Sequence, residues 1–129
     1  MASASKNDKS VEKLKVPPHS IEAEQSVLGS MLIDPDSWDK VAERVTDSDF
    51  YNRSHQIIFR AITRLLDSSQ PIDLITVSEE LEKHDELEDA GGFAYLGELA
   101  KNTPSSANVV SYAQIISERA ITRELIGVA

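Results

Sequence analysis

Apolar residues in this chain recur every three or four positions in short runs, and each run is fenced by Pro, Gly or a capping residue. That spacing places them on one face of an α-helix. Ser20 opens the first run, with Val27, Leu28, Met31 and Leu32 on its face and Glu22 and Glu24 in the first turn, where the helix dipole favours acids. Asp34-Pro35 reads as an N-cap followed by proline at the first helical position, and the helix after it should bury Trp38, Val41, Ala42 and Val45. Asn52 caps a third run through His55, Ile58, Phe59, Ile62, Leu65 and Leu66, which ends at Ser68-Ser69-Gln70-Pro71. Asp73 caps a fourth with Leu74, Val77 and Leu81. Gly91-Gly92 precedes a short fifth with Phe93, Leu96 and Leu99. After the break at Thr103-Pro104, the sixth opens near Ser105 or Ser106 and runs through Val109, Tyr112, Ala113, Ile116 and Ala120.

No segment alternates apolar and polar residues between hairpin turns. The one strand candidate, Pro71 to Val77, continues into an acidic helical pattern. The expectation is an all-α fold, a small orthogonal bundle of about six helices. The length of 129 residues suits one domain, and 40% hydrophobic residues supply a core that 5% aromatics make mostly aliphatic.

Residues 1–15 are small, polar and charged, and are expected to be a disordered tail. The fold then occupies 16–118. Ile121, Leu125, Ile126 and Val128 carry the apolar pattern to the last residue with no closing cap. This predicts a chain cut inside a helix over 119–129.

Charge narrows the function. The formal net charge is −9. Residues 1–16 hold four lysines and two acids, so the remainder carries 9 bases against 20 acids. Duplex binding needs Lys and Arg to neutralise phosphates, so this body is a poor nucleic-acid surface. With no cysteine there is no disulfide, Cys-ligated zinc or thiol nucleophile. No apolar run reaches the ~20 residues that span a bilayer, and no signal peptide is visible. A soluble, cytoplasmic protein is expected.

Catalytic motifs fail on inspection. Gly92 and Gly97 have P-loop spacing, but Glu98-Leu99 follows where Lys-Ser/Thr is required, and no strand precedes. Gly97 is instead expected to allow close helix packing. His84-Asp85-Glu86 lacks the P-C-x-x-C of zinc deaminases. His19, His55 and His84 are far apart without carboxylates at ligand spacing, and His55 reads as a core-edge or capping histidine. Residues 79–89 hold seven acids and one base without EF-hand order, and read as a solvated helix face. No serine sits in G-x-S-x-G. The expected catalytic, cofactor and metal residues are therefore none.

One series of motifs is specific. Lys15-Val16-Pro17-Pro18-His19-Ser20-Ile21-Glu22-Ala23-Glu24-Gln25-Ser26-Val27-Leu28-Gly29 resembles the start of the folded part of bacterial replicative DNA helicases, the DnaB family. The likeness continues through Asp49-Phe50-Tyr51, Pro71-Ile72-Asp73-Leu74-Ile75-Thr76, Gly91-Gly92-Phe93-Ala94-Tyr95-Leu96 and Lys101-Asn102-Thr103-Pro104-Ser105. The resemblance implies the N-terminal domain of a ring-shaped, ATP-driven 5′–3′ helicase, a homohexamer. In that family this domain is a small helical bundle followed by a helical hairpin that pairs subunits. The domains form a collar that docks primase and contacts loader proteins. Walker motifs, with their ATP and Mg, lie in a separate C-terminal domain, and single-stranded DNA is held only through the whole ring. Residues 119–129 would begin the first hairpin helix. Tyr95, Ile121, Leu125 and Ile126 are the expected partner-facing residues. The alternative is a free-standing acidic all-α adaptor unrelated to replication.

Overall fold

A computed structural model describes residues 16–127, which form six α-helices and two short 3-10 turns without strands. The helices are α1 (Ile21–Ile33), α2 (Trp38–Ala42), α3 (Arg53–Asp67), α4 (Leu74–Lys83), α5 (Gly92–Lys101) and α6 (Val109–Leu125). The expected tail at 1–15 and the last two residues lie outside the described residues.

α1 is the central helix. Its buried residues are Ala23, Glu24, Val27, Leu28, Gly29, Ser30, Met31 and Leu32, which cover most of its circumference. A helix buried nearly all round belongs inside a bundle, and α1 packs against α6, α5 and α3. Ser20 caps it by accepting the Ala23 N–H at 3.2 Å. Gly29 lets α5 approach: a Cβ there would lie 1.9 Å from the Thr103 hydroxyl oxygen and 2.4 Å from the Leu99 carbonyl oxygen.

Side-chain caps set two other helix starts. Asn52 accepts the Ser54 N–H at the start of α3. Asp73 and Thr76 bond reciprocally at the start of α4, which begins at Leu74, so the strand candidate is helical. Gly91 precedes α5 at φ +105, a conformation that L side chains rarely adopt.

The core is aliphatic, as the composition requires, with Phe50 and Phe59 as its buried aromatics. Each fully buried Leu, Ile, Val or Phe contributes about 1.5–3 kcal/mol.

Several expectations are corrected. Ala42 is exposed and Trp38 only half-buried, because α2 is a five-residue helix at the edge of the bundle. Asp34 precedes a 3-10 turn, Pro35–Ser37, and makes no side-chain cap. Its carboxylate instead accepts the Ser106 O–H at 2.7 Å, which ties down the loop before α6. That loop delays α6 to Val109. Gly97 packs against nothing: a Cβ there would meet no atom within 4 Å.

Candidate partner-docking surface

Glu24 stands in the first turn of α1, yet it is 1% exposed, so its main role is not dipole compensation at the surface. Its Oε2 accepts the Tyr51 N–H at 2.8 Å and its Oε1 the Asn52 N–H at 3.2 Å. These are orphan donors at the start of α3. Oε1 also lies 2.7 Å from Nδ1 of His55, which is fully buried. Nε2 of His55 meets the Tyr95 hydroxyl at 2.5 Å, and Gln25 donates to that hydroxyl oxygen at 3.2 Å. Thus α1, α3 and α5 meet in one polar chain inside an apolar core. No buried side-chain nitrogen or oxygen lacks a partner among the described residues.

An acid, an imidazole and a hydroxyl in sequence resemble a nucleophilic triad. The chemistry differs. Burial pushes the Tyr95 phenol above its ordinary range, partly opposed by the Gln25 hydrogen bond, and the Glu24 and Glu98 charges push it further up. The hydroxyl is therefore kept protonated rather than activated. The arrangement holds helices together.

A second cluster closes the N-terminal side. The His19 ring stacks on Tyr51 at 4.1 Å, and its Nδ1 is 2.8 Å from the Pro17 carbonyl oxygen. Arg123 of α6 is 7% exposed and lies over the Tyr51 ring. It donates to the carbonyl oxygens of Pro18 at 2.8 Å and Asp49 at 2.6 Å. The Pro-Pro-His-Ser and Asp-Phe-Tyr motifs are thus two sides of one clasp. Motif spacing alone did not single out Glu24, His55 or Arg123 as partners. Two acidic neighbours in a first turn look like solvent-facing acids, and Arg123 looks like a surface residue near a helix end.

The sequence-derived candidates divide. Ile121, Leu125 and Ile126 are 53%, 80% and 56% exposed near the end of α6. Beside them a surface hollow of about 260 Å³ is lined by Ser48, Asp49, Ser117, Ala120, Ile121, Arg123 and Glu124. Tyr95 is on another face. It is half-buried, and its hydroxyl belongs to the polar chain. It walls a cleft of about 200 Å³ between α1 and α5, with Glu22, Gln25 and Glu98.

Among the described residues the glycines and the acids make no phosphate cradle and no metal cluster. No group of three His, Cys, Asp or Glu side chains could hold a metal among the described residues. Gly97 lies within α5, followed by the Glu98 carboxylate, so the two glycines form no phosphate cradle. The acidic run is partly structural: Arg64 binds Glu80 at 2.7 Å and Glu86 at 3.0 Å, and His84 binds Glu80 at 3.0 Å. No described helix is long and apolar enough to cross a membrane.

Comparison with known proteins agrees with the motif series. Residues 16–118 match the family model "DnaB-like helicase N terminal domain". The chain is 50% identical to a replicative DNA helicase DnaB from Buchnera aphidicola over 122 residues, 95% of this chain and 26% of that protein. It is 52% identical to that of Pasteurella multocida over 121 residues, 94% of this chain and 26% of that protein. Among solved structures, it is similar to the N-terminal domain of DnaB helicase from Mycobacterium tuberculosis. The TM-score is 0.84 at 40% identity, covering 86% of this chain and 77% of that one. A DnaB-like replicative helicase studied for its interactions with primase gives a TM-score of 0.70 at 30% identity, covering 81% of this chain and 24% of that one. The chain thus spans about a quarter of the length of these curated relatives. These matches set aside the unrelated adaptor. On the motif series, the helical fold and the matched family model together, this chain belongs to the DnaB-like helicase N-terminal domain family.

Proposed function

We propose that this chain is the collar domain of a hexameric replicative DNA helicase, working in ring assembly and in docking primase and a loader protein. The unwinding reaction, 5′–3′ and ATP-dependent, belongs to the rest of the parent protein, as do ATP, Mg and the grip on single-stranded DNA in the assembled ring. Such a protein works in the cytoplasm. The carrying observation is the pairing of a fully satisfied interior with an unsatisfied exterior. Every buried polar side-chain atom among the described residues is partnered, while Ile121, Leu125 and Ile126 stand exposed at the end of α6. Apolar side chains gathered on an exposed face mark an interface. The net negative body favours protein partners over phosphate backbones. A structurally similar DnaB-like replicative helicase, studied for its interactions with primase, supports the partner.

The test uses the full helicase carrying Leu125→Glu. Sedimentation should show loss of hexamer, or surface binding should show loss of primase capture, with the fold of the domain intact by circular dichroism. An unchanged hexamer that binds primase normally would remove α6 from the interface.

A further inference from the structure

α2 and α3 leave an open groove of about 530 Å³ between them. Its apolar lining is Trp38, Ala42, Val45 and Phe59. The Trp38 ring packs on Phe59 at 5.6 Å, yet it stays half-buried, because no described element closes over it. Apolar surface gathered in an open groove, with a polar rim, is the pattern of a docking site.

The rim narrows what the groove can accept. Burial assigns the inner side of α3 to residues such as Ile58, Phe59, Ile62 and Leu65, and leaves Arg53, Arg60 and Arg64 facing outward. Arg60 and Arg64 follow Arg53 by 7 and 11 residues, close to two and three helical turns, so the three form one stripe about 16 Å long. The only acid on α3 is Asp67, its last residue. In a chain of net charge −9 this helix face reverses the local sign. Two of the arginines line the groove, against one acid, Asp47. Arg60 binds Asp47 through Nε at 2.7 Å, and Arg64 binds Glu80 through Nε at 2.7 Å and Glu86 through Nη2 at 3.0 Å. A guanidinium carries five N–H donors, so both arginines keep N–H groups that suit further carboxylate oxygens.

We propose that the α2–α3 groove docks a short acidic segment of another protein. Aliphatic or aromatic side chains of that segment seat on Trp38 and Phe59, and its Asp or Glu carboxylates pair with Arg60 and Arg64. Trp and Arg are among the residue types that dominate binding energy at protein interfaces, and here they share one groove. A nucleic-acid backbone fits less well, since its phosphates would meet Asp47 in the groove and a net negative body around it. The groove uses none of Tyr95, Ile121, Leu125 or Ile126, so this docking is independent of the interface placed on α6.

A phage library of random linear peptides, about 12 residues long, panned on the 129-residue chain reads the preference without a ligand chosen in advance. The enriched clones should carry Leu, Ile, Phe or Trp flanked by Asp or Glu. They should bind Arg60→Glu and Ala42→Glu at least about tenfold more weakly than the native chain. Arg60 is half-buried and Ala42 exposed, so both variants should fold, with circular dichroism as the check. If Arg60→Glu unfolds, Arg60→Gln takes its place with a smaller loss in the same direction. Trp38 is the chain's one tryptophan, so a tryptophan-free peptide of the selected type should move its emission to the blue and saturate, less tightly as salt is raised. Failure to enrich any clone would overturn the proposal, as would clones rich in Lys and Arg, binding indifferent to both substitutions, or an unmoved Trp38 emission. A saturating emission shift with oligothymidylate at physiological salt, and none with peptide, would give the groove to single strands and overturn it too. Hexamer formation enters none of these readouts.

Discussion

Glu24 and His55 are 31 residues apart in sequence and 2.7 Å apart in space, and the contact between them is buried on both sides. A carboxylate is tolerated there because it takes three hydrogen bonds, two of them from the start of α3. Removing it strands all three donors. Glu24→Ala should cost about 3 kcal/mol in urea unfolding, since each buried unpaired donor costs ~1–3 kcal/mol and partial hydration relieves some of it. Glu24→Gln keeps one acceptor oxygen and should cost about half as much. A loss below ~1 kcal/mol for the alanine variant would show that water replaces the carboxylate freely.

Trp38 tests the edge position of α2. Its ring packs on Phe59 at 5.6 Å but walls an open groove with Ala42 and Val45. Full burial would predict about 3–5 kcal/mol for Trp38→Ala, and half-burial predicts about 2 kcal/mol. Circular dichroism is the readout, because Trp38 is the chain's one tryptophan. A loss above ~4 kcal/mol would mean that the groove closes over the ring in solution.

Two glycines should respond in opposite senses. Gly29→Ala drives a methyl into the Leu99 carbonyl oxygen, and backbone cannot step aside cheaply, so a loss of about 2–3 kcal/mol is expected. Gly97→Ala meets open space in mid-helix and should stabilise by about 0.5–1 kcal/mol. Thermal unfolding of both variants decides the matter, and equal signs would contradict the α1–α5 packing.

Glu80 ties the acidic stretch to pH. The Arg64 hydrogen bond holds its carboxyl below the ordinary range, against the opposing effect of burial. The folded form thus binds its proton less readily than the unfolded chain does. The stability it adds is complete above the ordinary carboxylate range and is lost as pH falls below it. Relative to the native chain, Glu80→Gln should lose about 1 kcal/mol at neutral pH and progressively less as the pH falls below the ordinary carboxylate range. A difference independent of pH would show that the Arg64 pairing contributes no charge-linked stability.

What could be read from sequence follows a physical division. Local signals were legible: Ser20, Asn52 and Asp73 each cap the helix that follows, and Val27, Leu28, Ile58, Ile62, Val77 and Leu81 are buried as their spacing demands. Long-range polar pairings were not. Nothing near Glu24 announces His55 or the α3 amides, and nothing near Asp34 announces Ser106, 72 residues away. Periodicity also overstated α2, because Ala42 has the right spacing but the bundle supplies no neighbour to cover it. The family motifs were legible as a pattern before their contacts were. Pro18, His19 and Tyr51 gain a physical reason only when Arg123 is seen to hold them together.

The grip of Arg123 has a mechanical corollary. Its guanidinium holds two carbonyl oxygens, one before α1 and one just ahead of α3, from a point near the far end of α6. α6 therefore cannot swivel or slide about its axis without dragging both segments, and a torque applied to it is shared with the opening stretch of the chain instead of being absorbed by a compliant joint.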